Sequence, residues 1–163
     1  MFHPSTLPGD ELAELLGRSL NSMIVVAESK ILESIFQTSD LGNEVGGVLL
    51  GTAHTVANSN CFLTYVNRAV KAEGSERSAV HVRFTSQAWD AIKSVVKDTE
   101  TIVGWYHTHP GLGVFMSGTD RRTQRYFFSR PWQVSLVLDP KDQEYRFFAG
   151  EESAVVNEVI LLK

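Results

Sequence analysis

Two imidazoles, a hydroxyl and a carboxylate stand close together in one stretch of the chain. It runs Gly104-Trp105-Tyr106-His107-Thr108-His109-Pro110, then Gly111-Leu112-Gly113-Val114-Phe115-Met116-Ser117-Gly118-Thr119-Asp120. One residue separates His107 from His109, and side chains on a strand repeat every two residues, so both rings project from one face. Two such nitrogens can share one cation at ~2.0–2.1 Å. Pro110 has no amide to donate and ends the ladder just after the pair. The chain can then loop back and deliver Asp120. Two histidines and one carboxylate leave a fourth position on zinc for water, the layout of a hydrolytic site and not of a closed structural one. Such a site also needs a base. Glu44 opens the run Glu44-Val45-Gly46-Gly47-Val48-Leu49-Leu50-Gly51, and by alternation it shares a face with Gly46, Val48 and Leu50.

Each of these residues has a plainer explanation. Strand histidines are commonly packed or hydrogen-bonded without a metal. Ser117-x-x-Asp120 fits a capping box that opens the next helix, which is compatible with a second role because a helix start is a rigid place to hold a ligand. Glu44 taken alone reads as a glutamate at a strand entrance, wetted by solvent. Gly111 and Gly113 do not extend to a dinucleotide fingerprint, since Met116 occupies the next glycine position, and no G-x-S-x-G surrounds Ser117. His3, His54 and His81 lack a partner pattern. Cys61, beside Phe62 and Leu63, reads as an inert buried thiol. Arg121, Arg122 and Arg125 follow Asp120 and could meet an acidic patch on a protein substrate, although a solvated helix face is the simpler reading. Trp89, Trp105 and Trp132 read as core.

The elements that must position this chemistry alternate along the chain. Asp10 can cap a short helix bearing Leu12, Leu15 and Leu16. Ser22–Ala27 reads as a strand and Glu28–Thr38 as a helix. Glu44–Gly51 and Asn60–Val70 read as strands, the polar stretch Lys71–Ser78 as a loop, and Val80–Phe84 as a short strand. Thr85 or Ser86 then caps a helix with Trp89, Ile92, Val95 and Val96. Thr101–His109 is strand-like, Gly111–Gly118 a loop and Asp120–Phe128 a helix. Trp132–Leu138 and Tyr145–Ala149 are strands joined by the turn Asp139-Pro140-Lys141-Asp142, which favours an antiparallel pair. Ala154–Leu162 fits either a strand or a helix. The expected class is α/β (α+β), with seven or eight strands in a layered sheet.

Composition narrows the function classes. The 163 residues fit one domain spanning 1–163, and 43% hydrophobic with 21% charged residues excludes disorder. A net charge of −4 argues against a nucleic-acid binder. One cysteine excludes a disulfide framework and a multi-cysteine zinc module. No apolar run approaches the ~20 residues that span a bilayer, and no secretory signal is visible at the start. A cytoplasmic domain without nucleic-acid or membrane partners is the expectation.

Glu44 with its glycine-rich apolar strand, His107-x-His109-Pro110 and Ser117-x-x-Asp120 together resemble the JAMM (MPN+) metalloprotease family. The resemblance implies an MPN/JAB-like, cytidine-deaminase-like fold, a mixed and largely antiparallel sheet flanked by helices. It implies one catalytic zinc ion held by His107, His109 and Asp120, with Glu44 as general base and Ser117 stabilising the oxyanion. It further implies a deubiquitinase-like isopeptidase that cuts after the C-terminal tail of a ubiquitin-like protein. Its partners are then that modifier or its conjugates, and activating and conjugating enzymes encoded nearby would favour isopeptide cleavage over precursor processing. The short Asp139–Tyr145 turn leaves no room for the second insertion of eukaryotic members, so the chain looks more like the compact prokaryotic ones. Two other functions stay open: a processing peptidase for a sulfur-carrier or ubiquitin-like precursor, and a non-catalytic MPN scaffold. Leu112, Val114, Phe115 and Met116 are expected to line the substrate cleft, with core packing of Phe115 and Met116 as the alternative.

Overall fold

The computed structural model describes residues 2–9, 14, 23–73, 76–77 and 82–163. In chain order the described elements begin with β1 (Ser5–Leu7), β2 (Ile24–Glu28), α1 (Ser29–Thr38), β3 (Gly46–Val56) and β4 (Phe62–Lys71). The paired short strands β5 (Glu76–Arg77) and β6 (Val82–Arg83) precede α2 (Ser86–Val95) and β7 (Thr101–Thr108). The chain closes with α3 (Gly118–Phe127), β8 (Val134–Asp139), β9 (Glu144–Ala149), β10 (Ala154–Val155) and β11 (Glu158–Leu162). Among the described residues no helix is long and apolar enough to cross a membrane.

Nine strands form one mixed sheet in the order β10-β9-β8-β7-β3-β4-β2-β11, with β1 parallel to β3. The antiparallel ladders β3/β4, β3/β7 and β8/β9 are the longest. Parallel pairs join β2 to β4, β11 to β2 and β7 to β8. The class expected from sequence therefore holds, with more strands than the pattern suggested. Two-residue strands such as β5 carry too few residues for a period to register. β5 replaces part of the loop expected over 71–78, β6 falls within the strand expected over Val80–Phe84, and the end of the chain forms strands, not a helix. The helix expected after Asp10 lies outside the described residues.

The two sheet faces bury different cores. On one face α1 sets Ile31, Leu32 and Ile35 against Val25, Leu49, Tyr106, Leu136 and Leu138. On the other, Ala88 and Ile92 of α2 meet Val48, Leu50, Trp105, Met116, Phe128 and Val137. The apolar run of β3 is thus shared between the layers, Val48 and Leu50 facing one and Leu49 the other. A register shift lets Leu49 pair with Gly104 and Leu50 with Ile102, leaving Val103 unpaired in that ladder. Such a bulge reverses which face the following residues point to. Trp105 consequently joins the α2 layer, while Val103 and Tyr106 join the α1 layer. The odd-numbered positions His107 and His109 continue the Trp105 side.

Of the three tryptophans, only Trp105 is fully buried; Trp89 and Trp132 are half-buried. The central strand β3 supplies the test of this packing. Leu49→Ala empties a fully buried site and should cost about 2–5 kcal/mol. Urea unfolding should show a lower midpoint with an unchanged slope.

Candidate metal centre

The end of β7, the loop after it and the start of α3 bring the sequence-predicted residues together. β7 is followed by α3 as the crossover to its parallel neighbour β8, and pockets at the carboxyl ends of parallel strands are where such crossovers leave room for ligands. His107 Nε2 and His109 Nε2 each lie 3.3 Å from the same Asp120 oxygen, Oδ2. The ligand atoms that His107, His109 and Asp120 offer all fall within 4.8 Å of one another, and all three residues are buried. Glu44 reaches the same place, its Oε1 3.4 Å from His109 Nε2.

Local structure explains each placement. Asp120 is the third residue of α3, whose first residues follow the cap Ser117. Ser117 Oγ accepts from the Asp120 amide at 3.2 Å, and Asp120 Oδ2 accepts from the Ser117 amide at 2.7 Å, a complete capping box. The plain explanation for Ser117-x-x-Asp120 is therefore true, and the carboxylate that caps the helix also faces both imidazoles. Accepting from the amide uses one lone pair of Ser117 Oγ and leaves its hydroxyl proton as a donor, directed at the Asp120 carboxylate beside it. Glu44 precedes β3, and its neighbour Val45 is clamped by Thr108. Thr108 N donates to Val45 O at 2.9 Å, and Val45 N donates to Thr108 Oγ1 at 2.9 Å. The clamp turns Glu44 inward to 1% exposure, so the solvated reading of Glu44 does not hold.

Sequence reasoning missed the residues that support the rings. Trp105 stacks on His107 with centroids 4.4 Å apart and 14° between planes. Trp105 Nε1 donates to Gln124 Oε1 at 2.7 Å, and Gln124 Nε2 donates to the carbonyls of Phe128 and Gln133. Gln124 stands one helical turn beyond Asp120 and is likewise buried, so the inward face of α3 is polar. An i, i+4 polar pair in a helix of low apolar content was the signal available for it. His109 Nδ1 lies 3.2 Å from the Gly113 carbonyl.

The electrostatics are those of buried charges in contact. Burial pushes the Glu44 carboxyl up to about 7; His109 pulls against that rise and Asp120 adds to it. Burial holds His107 below the usual imidazole range in spite of Asp120. For His109 burial is outweighed by Asp120, Glu44 and the Gly113 carbonyl, and its value rises. Burial would raise Asp120, yet the two imidazoles and Ser117 hold it well below the usual carboxylate range.

The donor set fits a metal. The buried His107 ring has no hydrogen bond on either nitrogen among the described residues, although Nε2 is close to Asp120. A buried ring nitrogen is costly when left so, and coordination would satisfy Nε2, the nitrogen that faces Asp120. Two imidazoles and one carboxylate suit a divalent ion such as zinc and leave one position open.

The expected cleft residues divide. Leu112 is 52% and Phe115 47% exposed, and the Phe115 ring sits 4.9 Å from that of His109. Val114 is half-buried against the α2-side core. Met116 does not face a cleft: it is buried in that core, its sulfur accepting from Ser135 Oγ at 3.3 Å. Position 116 precedes the cap, where the loop must rejoin the packed layer. Arg125 lies 3.7 Å from Glu151 and 3.8 Å from Glu152, and Arg121 donates to the Glu152 carbonyl, so these two arginines meet acceptors within the chain. Cys61 is buried, and His54 bonds to Ser5 and Thr52 away from the centre.

Comparison with known proteins gives the family and the fold. A family model described as JAB1/Mov34/MPN/PAD-1 ubiquitin protease matches residues 18–129. The chain is similar to COP9 signalosome complex subunit 5 of Caenorhabditis elegans, 32% identical over 124 residues, covering 72% of this chain and 32% of that protein. It is also similar to the 26S proteasome non-ATPase regulatory subunit 14 of Drosophila melanogaster, 38% identical over 68 residues, 41% of this chain and 22% of that one. The chain thus spans a third or less of the length of these curated relatives. A crystal structure of a JAB1/MPN domain protein from Archaeoglobus fulgidus shares the fold, with a TM-score of 0.51 and 13% identity over 86% of this chain and 98% of that one.

Two outcomes test the geometry. Ser117→Ala should cost ~1 kcal/mol of stability through the lost cap, read by urea unfolding. For chelator-treated protein, a Glu44 value raised from 4.5 to about 7 means the folded state holds the proton longer than the unfolded one. That contribution to stability is complete below pH 4.5 and is lost as pH rises through 7. Glu44→Gln should therefore gain on the wild type across this window by about 3 kcal/mol, measured by unfolding at both ends.

Proposed function

The chain belongs to the JAB1/Mov34/MPN/PAD-1 ubiquitin protease family, and on that premise we propose that it is a zinc-dependent isopeptidase acting after the C-terminal tail of a ubiquitin-like protein. One observation carries the reading: the Glu44 carboxylate stands 3.4 Å from a histidine that itself shares Asp120 with a second histidine. A base beside a three-ligand cluster is the arrangement hydrolysis needs; a structural metal site needs only the ligands. A scaffold would gain nothing from a buried, unpaired Glu44 oxygen that costs stability.

In this reading His107, His109 and Asp120 hold the ion. When bound, zinc supplies Lewis-acid polarisation of the scissile carbonyl and makes water more acidic. Glu44 takes a proton from the attacking water as the new C–O bond forms. Burial raises the Glu44 carboxyl in the metal-free protein and a bound cation would oppose that rise, which favours the carboxylate form a base needs. Glu44 then returns the proton to the leaving amine as the C–N bond breaks. The Ser117 hydroxyl donates a hydrogen bond to the developing oxyanion. Leu112 and Phe115 offer an apolar lip beside His109 on which an extended substrate tail can lie. The whole domain over 1–163 acts as one unit in this proposal, in the cytoplasm.

The test separates base from ligands. His107→Ala, His109→Ala or Asp120→Ala should each lose zinc and activity together. Glu44→Gln keeps its shape and should keep stoichiometric zinc while cleavage of a ubiquitin-like fusion falls by ~10²–10⁴-fold. Wild-type turnover in Glu44→Gln would sink the mechanism.

A further inference from the structure

Asp139 ends β8 with a fully buried carboxylate that the reaction above does not use. Buried carboxylates are costly unless partnered, and this one accepts from four backbone amides. Lys141 N at 2.9 Å and Asp142 N at 3.4 Å belong to its own turn, an ordinary arrangement for aspartate. The other two come from the loop after β7: Gly111 N reaches Oδ1 at 2.9 Å and Gly113 N reaches Oδ2 at 2.8 Å. Both glycines have positive φ, 71° and 85°, backbone that residues with a Cβ avoid. The loop is therefore coiled so that two of its amides meet one carboxylate.

The same loop carries the carbonyl that His109 needs. Gly113 O lies 3.2 Å from His109 Nδ1, and a carbonyl only accepts, so Nδ1 carries the proton. That leaves Nε2 as the nitrogen that faces Asp120 and Glu44. We propose that Asp139 is a positioning residue for His109: by tying down Gly111 and Gly113 it holds the Gly113 carbonyl that fixes the His109 ring. This rests on the reading of His109 as a metal ligand, for which a fixed ring keeps Nε2 aimed at the ion. An untethered loop would let the carbonyl turn away, and the ring would follow.

Asp139→Asn keeps the size but turns one accepting oxygen into a donor, so at least one loop amide loses its acceptor. Chelator competition should show zinc bound roughly 10–100-fold more weakly. NMR of the imidazoles should show the His109 Nδ1 proton exchanging faster with water while the His107 ring is unchanged. Gly113→Ala attacks the same turn and leaves the Asp139 carboxylate intact; its Cβ meets nothing within 4 Å, so only the φ of +85° opposes it. It should give the same two changes, and it decides the matter if Asp139→Asn does not fold. Unchanged zinc affinity and a still-protected Nδ1 proton in variants that merely melt lower would make Asp139 a structural brace and overturn the proposal. If the wild type takes up no zinc, the metal reading fails by itself. The Nδ1 proton compared between metal-free wild type and variants then still decides this inference.

Discussion

One oxygen, Asp120 Oδ2, accepts the amide that opens α3 and faces the two imidazoles that close β7. A carboxylate at a helix start is favoured twice, by the free amides of the first turn and by the positive end of the helix dipole. That local stabilisation is what lets a charge be buried between β7 and α3. Remove the cap and the helix start loses its anchor; remove the imidazoles and the buried charge loses its neighbours. Much of the surrounding architecture can be understood as holding these partners in register.

The cost of the arrangement is spread over a supporting layer. α3 has few apolar residues and turns Asp120 and Gln124 inward. Gln124 satisfies its amide fully, accepting from Trp105 and donating to two carbonyls. Trp105 in turn lies flat against His107 and Phe128. Thr108, between the two histidines, points the other way and clamps Val45, so the same three residues at the end of β7 fix both ligands and the neighbour of Glu44. Polar groups inside a protein are tolerable when every member of the network is paired. Here the unpaired atoms of the site among the described residues are Glu44 Oε2 and the two His107 nitrogens, and His107 Nε2 faces the Asp120 oxygen where an ion would be accommodated. Stability alone would favour apolar residues there, so the site keeps a cost that the two flanking cores offset.

Much of this was legible in the chain because its rules are local. Alternation put His107 and His109 on one face, the Ser117-x-x-Asp120 spacing announced the capping box, and Thr85 and the apolar spacing after it announced α2. Pro110 marked the end of β7, and the Asp139–Asp142 turn marked the β8/β9 pair. These depend on side chains within a few residues of each other, where spacing and geometry are linked directly. The inward placement of Glu44 was not of this kind. Alternation named its face, but the solvated alternative stayed open until Thr108, far along the chain, was seen to hold Val45 in both directions.

The rest came from long-range pairing. The bulge opposite Leu49 and Leu50 determines which layer Trp105 joins, and no local pattern records an extra residue in a partner strand. The division of the 112–116 loop, with Phe115 beside His109 and Met116 in the core, depends on which side of the loop meets the sheet. Asp139 looked like a turn residue because half of its hydrogen bonds are those of a turn; the other half reach a loop brought near only by the β7/β8 pairing. Residue types and their short spacings were enough to limit which chemistry this chain could perform. Which groups actually meet was set by the pairing of distant strands, because contacts across the sheet come from the register of the whole ladder and not from any one segment.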